Sequence, residues 1–141
     1  MLNFTDINKE AIGQLAPFFA GQCTHLSDYS LGYQFMWRKY LAPAFAVAED
    51  CLIIRERYAG RDWFRYPLSR TGDMEAERRA VALIERYCRD HEVRLRFSGV
   101  KADAVPWRTL RYSDVSVTNT RRWGDYLYEA ESFRTFAGGK F

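Results

Sequence analysis

The sequence predicts an α+β domain in which a mixed, mostly antiparallel sheet is flanked by helices. Three observations predict it. Apolar residues keep a helical spacing as far as Leu41 and switch to a period of two from Phe45. The runs that follow the switch are joined by loops of only a few residues, which antiparallel neighbours accept and parallel ones do not. One long amphipathic stretch, 72–90, then separates those runs from a later alternating run at 93–99. With 141 residues, 48% of them hydrophobic and 16% aromatic, the chain is sized for one core, so a single domain over 1–141 is expected.

The elements follow in order. In "FTDINKEAIGQLAPFF", Thr5 or Asp6 is placed to cap a helix whose apolar positions are Ile7, Ala11, Ile12 and Leu15 and which Pro17 should break. A second helix is expected in "LSDYSLGYQFMWRKYL", with Ser27 and Ser30 as caps and Ala42-Pro43 as its stop. "FAVAEDCLIIRERY" reads as a β-hairpin turning at Glu49-Asp50. Gly60 and Asp62 mark the next turn, into a third strand, "WFRYPL".

The helix over 72–90 places Ala80, Val81, Ile84, Tyr87 and Cys88 on one face and sets Glu75/Arg79 and Glu85/Arg89 four residues apart on the other. In "VRLRFSG", Val93, Leu95 and Phe97 alternate with Arg94, Arg96 and Ser98, and Gly99 ends the strand. A short helix is expected in 101–110, then two strands, "DVSVTN" and "DYLYEA", around a turn at 122–124.

Composition restricts the function classes. No run approaches the roughly 18 consecutive apolar residues of a membrane helix, and "MLNFTDINKE" has neither the basic flank nor the apolar stretch of a secretion signal, so a cytoplasmic chain without stable membrane insertion is expected. Cys23, Cys51 and Cys88 are scattered and lack metal-ligand spacing; the expectation is reduced, buried thiols and no metal site. The net charge of +3 conceals a split, with −2 over residues 1–50 and +5 over the remainder. That later half is rich in arginine, which suits phosphate and carboxylate partners, but its arginines are interleaved with acids as on a solvated surface.

Candidate chemistry is sparse. His25 and His91 sit in loop or helix-end positions and assemble no nucleophile-base set. Arg70, Thr71 and Gly72 lie between a strand and a long helix, the place where GNAT-type acyltransferases hold the pyrophosphate of acyl-CoA on helix N-terminal amides, and are the candidate cofactor residues. Against that, Asp73, Glu75 and Glu77 already bring negative charge to the helix start. Trp37 with Arg38, and Tyr126 with Tyr128 on one strand face, are candidates for lining a pocket or a partner surface.

Three stretches, "SDYSLGYQFMWRKY", "FRYPLSRTGD" and "GDYLYEAESFRTFAGGKF", together resemble, in order and spacing, the N-terminal half of the phosphatidylglycerol lysyltransferase C-terminal-like proteins, a domain-of-unknown-function family with tandem GNAT-like folds. The resemblance covers about residue 6 to residue 141 and implies a GNAT-like acyltransferase fold. Members of that family run to about twice this length, in keeping with two domains of ordinary size. Related enzymes move an amino acid from aminoacyl-tRNA to a lipid or peptidoglycan acceptor, using mainly the second unit and the cleft between units.

The resemblance therefore implies a non-catalytic or substrate-framing unit, with Asp125, Tyr126, Tyr128 and Lys140 near a junction at 131–141 with a second GNAT-like unit. The partners it implies are that unit or a second copy of the chain, and tRNA. Two alternatives stand beside it: a small acyl-CoA-dependent acyltransferase acting alone, and a dimerising interaction module. The sequence departs from the family pattern at Ser132-Phe133, where a leucine is usual, and at Gly139, where a basic residue is usual.

Overall fold

The computed structural model describes residues 1–22, 26–102, 104–106, 111–119, 125 and 134. The backbone forms strands β1 (Thr5–Asp6), β2 (Ala44–Ala48), β3 (Cys51–Tyr58), β4 (Arg61–Arg65), β5 (Leu68–Ser69) and β6 (Phe97–Ser98). Its α-helices are α1 (Ile12–Ala20), α2 (Leu31–Met36), α3 (Arg38–Leu41) and α4 (Met74–Asp90). The sheet runs β1-β2-β3-β4-β6, with β5 also on β3; every pairing is antiparallel except β4 with β6. This is the α+β arrangement the sequence predicts, a mostly antiparallel sheet between helices.

Both hairpins form where the turn residues require them. Glu49 and Asp50 have φ of 52° and 55°, and Ala59 and Gly60 have 50° and 69°, the paired positive angles of two-residue turns whose twist matches that of the strands. The stretch after β4 does something the sequence did not announce. Phe64 faces Arg55 and Leu68 faces Leu52, so Arg65, Tyr66 and Pro67 stand opposite only two residues of β3. This is a β-bulge, and it accommodates Pro67, which has no N–H to give a ladder. It also turns the Tyr66 N–H toward β6, where it donates to the Ser98 carbonyl at 3.1 Å.

The sheet buries a face on each side. Ile53, Cys51, Phe64 and Ala46 pack with Ala76, Ala80, Ile84, Tyr87 and Cys88 of α4. On the opposite face, Phe45, Leu52, Ile54 and Leu68 pack with Ile7, Ala11, Leu15, Phe18 and Tyr29. A helix layer therefore covers each side of one sheet. Cys51 and Cys88 belong to the first core, and burial pushes their thiols up to about 12 and about 11. A thiol reagent at pH 8 should therefore leave both unlabelled in the native protein and modify them only with unfolding, as followed by mass spectrometry. Cys23 and His25 lie outside the described residues.

Some local expectations change. The first helix is capped by Asn8, whose Oδ1 accepts from the Ala11 N–H at 3.0 Å, because Thr5 and Asp6 are taken up as β1. Pro17 sits inside α1 without ending it; the carbonyl deprived of a partner is that of Gly13, which is exposed and can be hydrated. The second helix divides into a 3₁₀ turn at Ser27–Tyr29, α2 and α3, with Ser30 capping α2 and Ala42 in the left-handed conformation as the stop before Pro43.

The residues of α4 expected to pair at i,i+4 are bound otherwise: Glu75 to Arg78, Arg79 to Glu49 of the β2–β3 turn, and Glu85 to Arg111. Residues 115–119 are described and form no strand; Val115 and Val117 are exposed, and alternation without a partner edge does not make a ladder. The expected strand over 125–130 lies outside the described residues apart from Asp125, as does much of the helix expected over 101–110.

A buried arginine cluster and the adjoining cleft

Regular alternation along β4, with Trp63 opposite Glu56 and Phe64 opposite Arg55, puts a charge, Arg65, on a buried face where the bulge begins. Arg65 is 5% exposed, on the same sheet face as Glu56, and its Nε donates to Glu56 Oε1 at 2.9 Å. Its Nη1 donates to Asp28 Oδ2 at 2.6 Å, and its guanidinium lies 4.8 Å from the Tyr33 ring centroid. Burial opposes the Arg65 charge, but Glu56 and Asp28 outweigh it and hold the guanidinium more firmly protonated than usual. Burial raises the Glu56 pKa, and Arg65 opposes that rise. Two carboxylates around one planar fork meet the geometry that arginine satisfies and lysine does not.

The cluster reaches further through Tyr29. Burial raises its pKa, so the hydroxyl keeps its proton, and it donates to the carbonyl of Gly99 just after β6. Gly99 has φ of 62°, and a side chain there would lie 3.5 Å from both Arg65 Nη1 and the Tyr29 hydroxyl. Gly99 thus fits by its conformation, while a Cβ at that distance would make only ordinary contact. One residue before Asp28, Ser27 donates from its N–H to Asp125 Oδ2 at 2.5 Å and from its hydroxyl to Asp125 Oδ1 at 2.9 Å.

Beside the cluster, a cleft of about 170 Å³ opens between the bulge and the start of α4, lined by Tyr66, Gly72, Met74, Glu77, Arg78, Lys101 and Ala104. Glu77 is 4% exposed, and its Oε1 is 3.8 Å from Lys101 Nζ. The first amides of α4 are already engaged: Asp73 Oδ1 accepts from the N–H groups of Glu75 at 2.9 Å and Ala76 at 3.2 Å. With Glu75 and Glu77 in the same turn, the helix start repels an anion instead of cradling one.

Of the candidate cofactor residues, Gly72 lines the cleft with φ of 75°, Thr71 is exposed, and Arg70 turns the other way, its guanidinium 4.7 Å from the Phe18 ring centroid. Trp37, between α2 and α3, and Arg38, at the start of α3, are exposed and do not line the cleft. Asp125 is an acceptor for Ser27, and Tyr126, Tyr128 and Lys140 lie outside the described residues. The residues that sequence reading passed over are Arg65, Glu56, Asp28 and Lys101, while Glu77 was read only as part of the acidic helix start. One signal was available for Arg65: a charge between two aromatics within a strand, in "FRYP".

No metal-ligating group of three or more His, Cys, Asp or Glu side chains occurs among the described residues. The cluster offers no evident base or nucleophile, because its arginine stays charged, its tyrosine stays protonated and its carboxylates are paired; its chemistry is that of a fixed clamp. No family model and no curated protein matches the chain. Among solved structures it is similar to a conserved protein of unknown function from Bacteroides thetaiotaomicron VPI-5482, with a TM-score of 0.67 and 17% identity over 78% of this chain. The matched part is 36% of that chain's length, and at this identity the likeness speaks for the fold alone.

Proposed function

We propose that this chain is a GNAT-like unit that frames substrate for a second GNAT-like unit in an aminoacyl- or acyl-transferring protein, and that it performs little transfer by itself. The observation that carries the reading is the start of α4, where Asp73 occupies the amides that an acyl-CoA pyrophosphate would need. The element order supports the GNAT-like part: the antiparallel strands β2 to β5, then the long helix α4, then β6 parallel to β4. The three stretches that carry the family resemblance also converge, Asp28 of the first on Arg65 of the second, and Ser27 of the first on Asp125 of the third.

One observation favours the second reading, a stand-alone acyl-CoA-dependent acyltransferase. Gly72, with its positive φ, borders the cleft at the loop such an enzyme would use. Incubation of the purified chain with acetyl-CoA and amine acceptors, and separately with aminoacyl-tRNA and lipid acceptors, distinguishes the two. The framing role predicts no transfer above background with either donor. Sustained turnover with acetyl-CoA would establish the second reading in its place, and turnover with aminoacyl-tRNA would overturn the claim that the unit does not catalyse alone.

A further inference from the structure

A ladder of rings crosses the surface away from the cleft. Tyr33 and Trp37 are separated by 6.2 Å between centroids, Trp37 and Tyr40 by 6.1 Å, and Tyr40 and Tyr58 by 5.8 Å. The helical spacing of Tyr33, Trp37 and Tyr40 sets three of them in a row, and the fourth stands at the end of β3. The ladder is partly open to solvent, with Tyr40 61%, Trp37 43% and Tyr58 37% exposed, and Met36 beside it is 77% exposed.

Three exposed cations flank these rings. Arg38 and Lys39 lie between Trp37 and Tyr40 in the chain, and Arg61 is the cross-strand partner of Tyr58, on the same sheet face. None of the three has an acidic partner among the described residues. The carboxylates nearest to Arg61 in the chain are engaged elsewhere, Asp62 with Arg57 and Glu56 with Arg65.

We propose that this face docks the protein peripherally on an anionic bilayer surface. Tryptophan and tyrosine settle at the headgroup level because one end of the ring is apolar and the other polar. Met36 supplies an unbranched apolar chain for the boundary below, and the cations meet the negative headgroups. Docking of this kind needs no spanning helix, and none of the described helices is long and apolar enough to cross a membrane. A single-stranded nucleic acid is the less suitable polyanion. The rings are tilted against one another by 44°, 60° and 57°, so neighbouring edges occupy faces on which bases would stack.

Co-sedimentation with vesicles tests this. The intact chain should pellet with phosphatidylserine–phosphatidylcholine vesicles, pellet poorly with phosphatidylcholine alone, and lose binding as salt rises. At roughly fivefold per cation, Arg38→Glu, Lys39→Glu and Arg61→Glu combined should weaken partitioning by about 100-fold or more, with an unchanged melting temperature showing that the variant folds. Met36→Ser with Tyr40→Ser should weaken it at every salt concentration. Absence of binding to the anionic vesicles, equal binding to neutral ones, or undiminished binding by the folded charge-reversed variant would each overturn the proposal. So would tight binding of a labelled single-stranded RNA through these residues in the absence of vesicle binding.

Discussion

Replacing Arg65 with alanine is expected to destabilise the fold by about 3–5 kcal/mol, a fall in Tm of roughly 10–20 °C for a domain of this size. The substitution removes the only counter-charge hydrogen-bonded to Glu56 among the described residues, and Glu56 is 4% exposed. It also breaks the link from β4 to Asp28 and thereby loosens the 3₁₀ turn at Ser27–Tyr29. Replacing the pair together, Arg65→Met with Glu56→Leu, should cost far less, because no buried charge is then left alone. Arg65→Lys should fall between, since an ammonium can reach one carboxylate but cannot span both with a planar fork. Urea unfolding of the four proteins measures this. A loss below about 1 kcal/mol in the alanine variant would mean that the cluster is hydrated and contributes little.

Phe64→Ala should be comparably damaging, at about 3–5 kcal/mol. The ring is fully buried near the end of β4, 6.0 Å from the Tyr87 ring and 6.2 Å from that of Phe4. Its neighbours come from β1's flank, α4 and β6, which cannot all close on one cavity without breaking ladder hydrogen bonds. The same denaturation series measures it, and Phe64→Leu, which keeps most of the volume, should recover more than half of the loss.

The parts of the fold legible in the sequence were those fixed by local chemistry. Asp50 and Gly60 are turn residues that accept positive φ, though Asp62, also read as turn, lies within β4, and the face formed by Ala80, Val81, Ile84, Tyr87 and Cys88 reads directly from helical spacing. The bulge at Arg65–Pro67 was not legible, because it depends on the register of β5 against β3, a relation between segments about 15 residues apart. Arg65 was passed over for the same reason: its partners Glu56 and Asp28 are 9 and 37 residues away, and nothing local marks them as neighbours.

The candidate site was legible only in its weakest part. The loop 70–72 lies at the strand-to-helix junction as expected, and the acids at 73, 75 and 77 foretold a self-capped helix start. Arg70 was chosen for its charge, but the fold uses it against the Phe18 ring. The pairing of Ser27 with Asp125, 98 residues apart, ties the first resemblance motif to the last in a way that spacing along the chain could not display.

A coenzyme A titration followed by thermal shift tests whether the Asp73 carboxylate, which caps α4, holds the amides that a bound pyrophosphate would need. The account predicts no rise in Tm at millimolar coenzyme A. A ligand at 100 times its dissociation constant would stabilise the protein by about 2.7 kcal/mol, a rise of several degrees. Such a rise in the wild-type chain would contradict the account and return the loop at 70–72 to the role of a cofactor site.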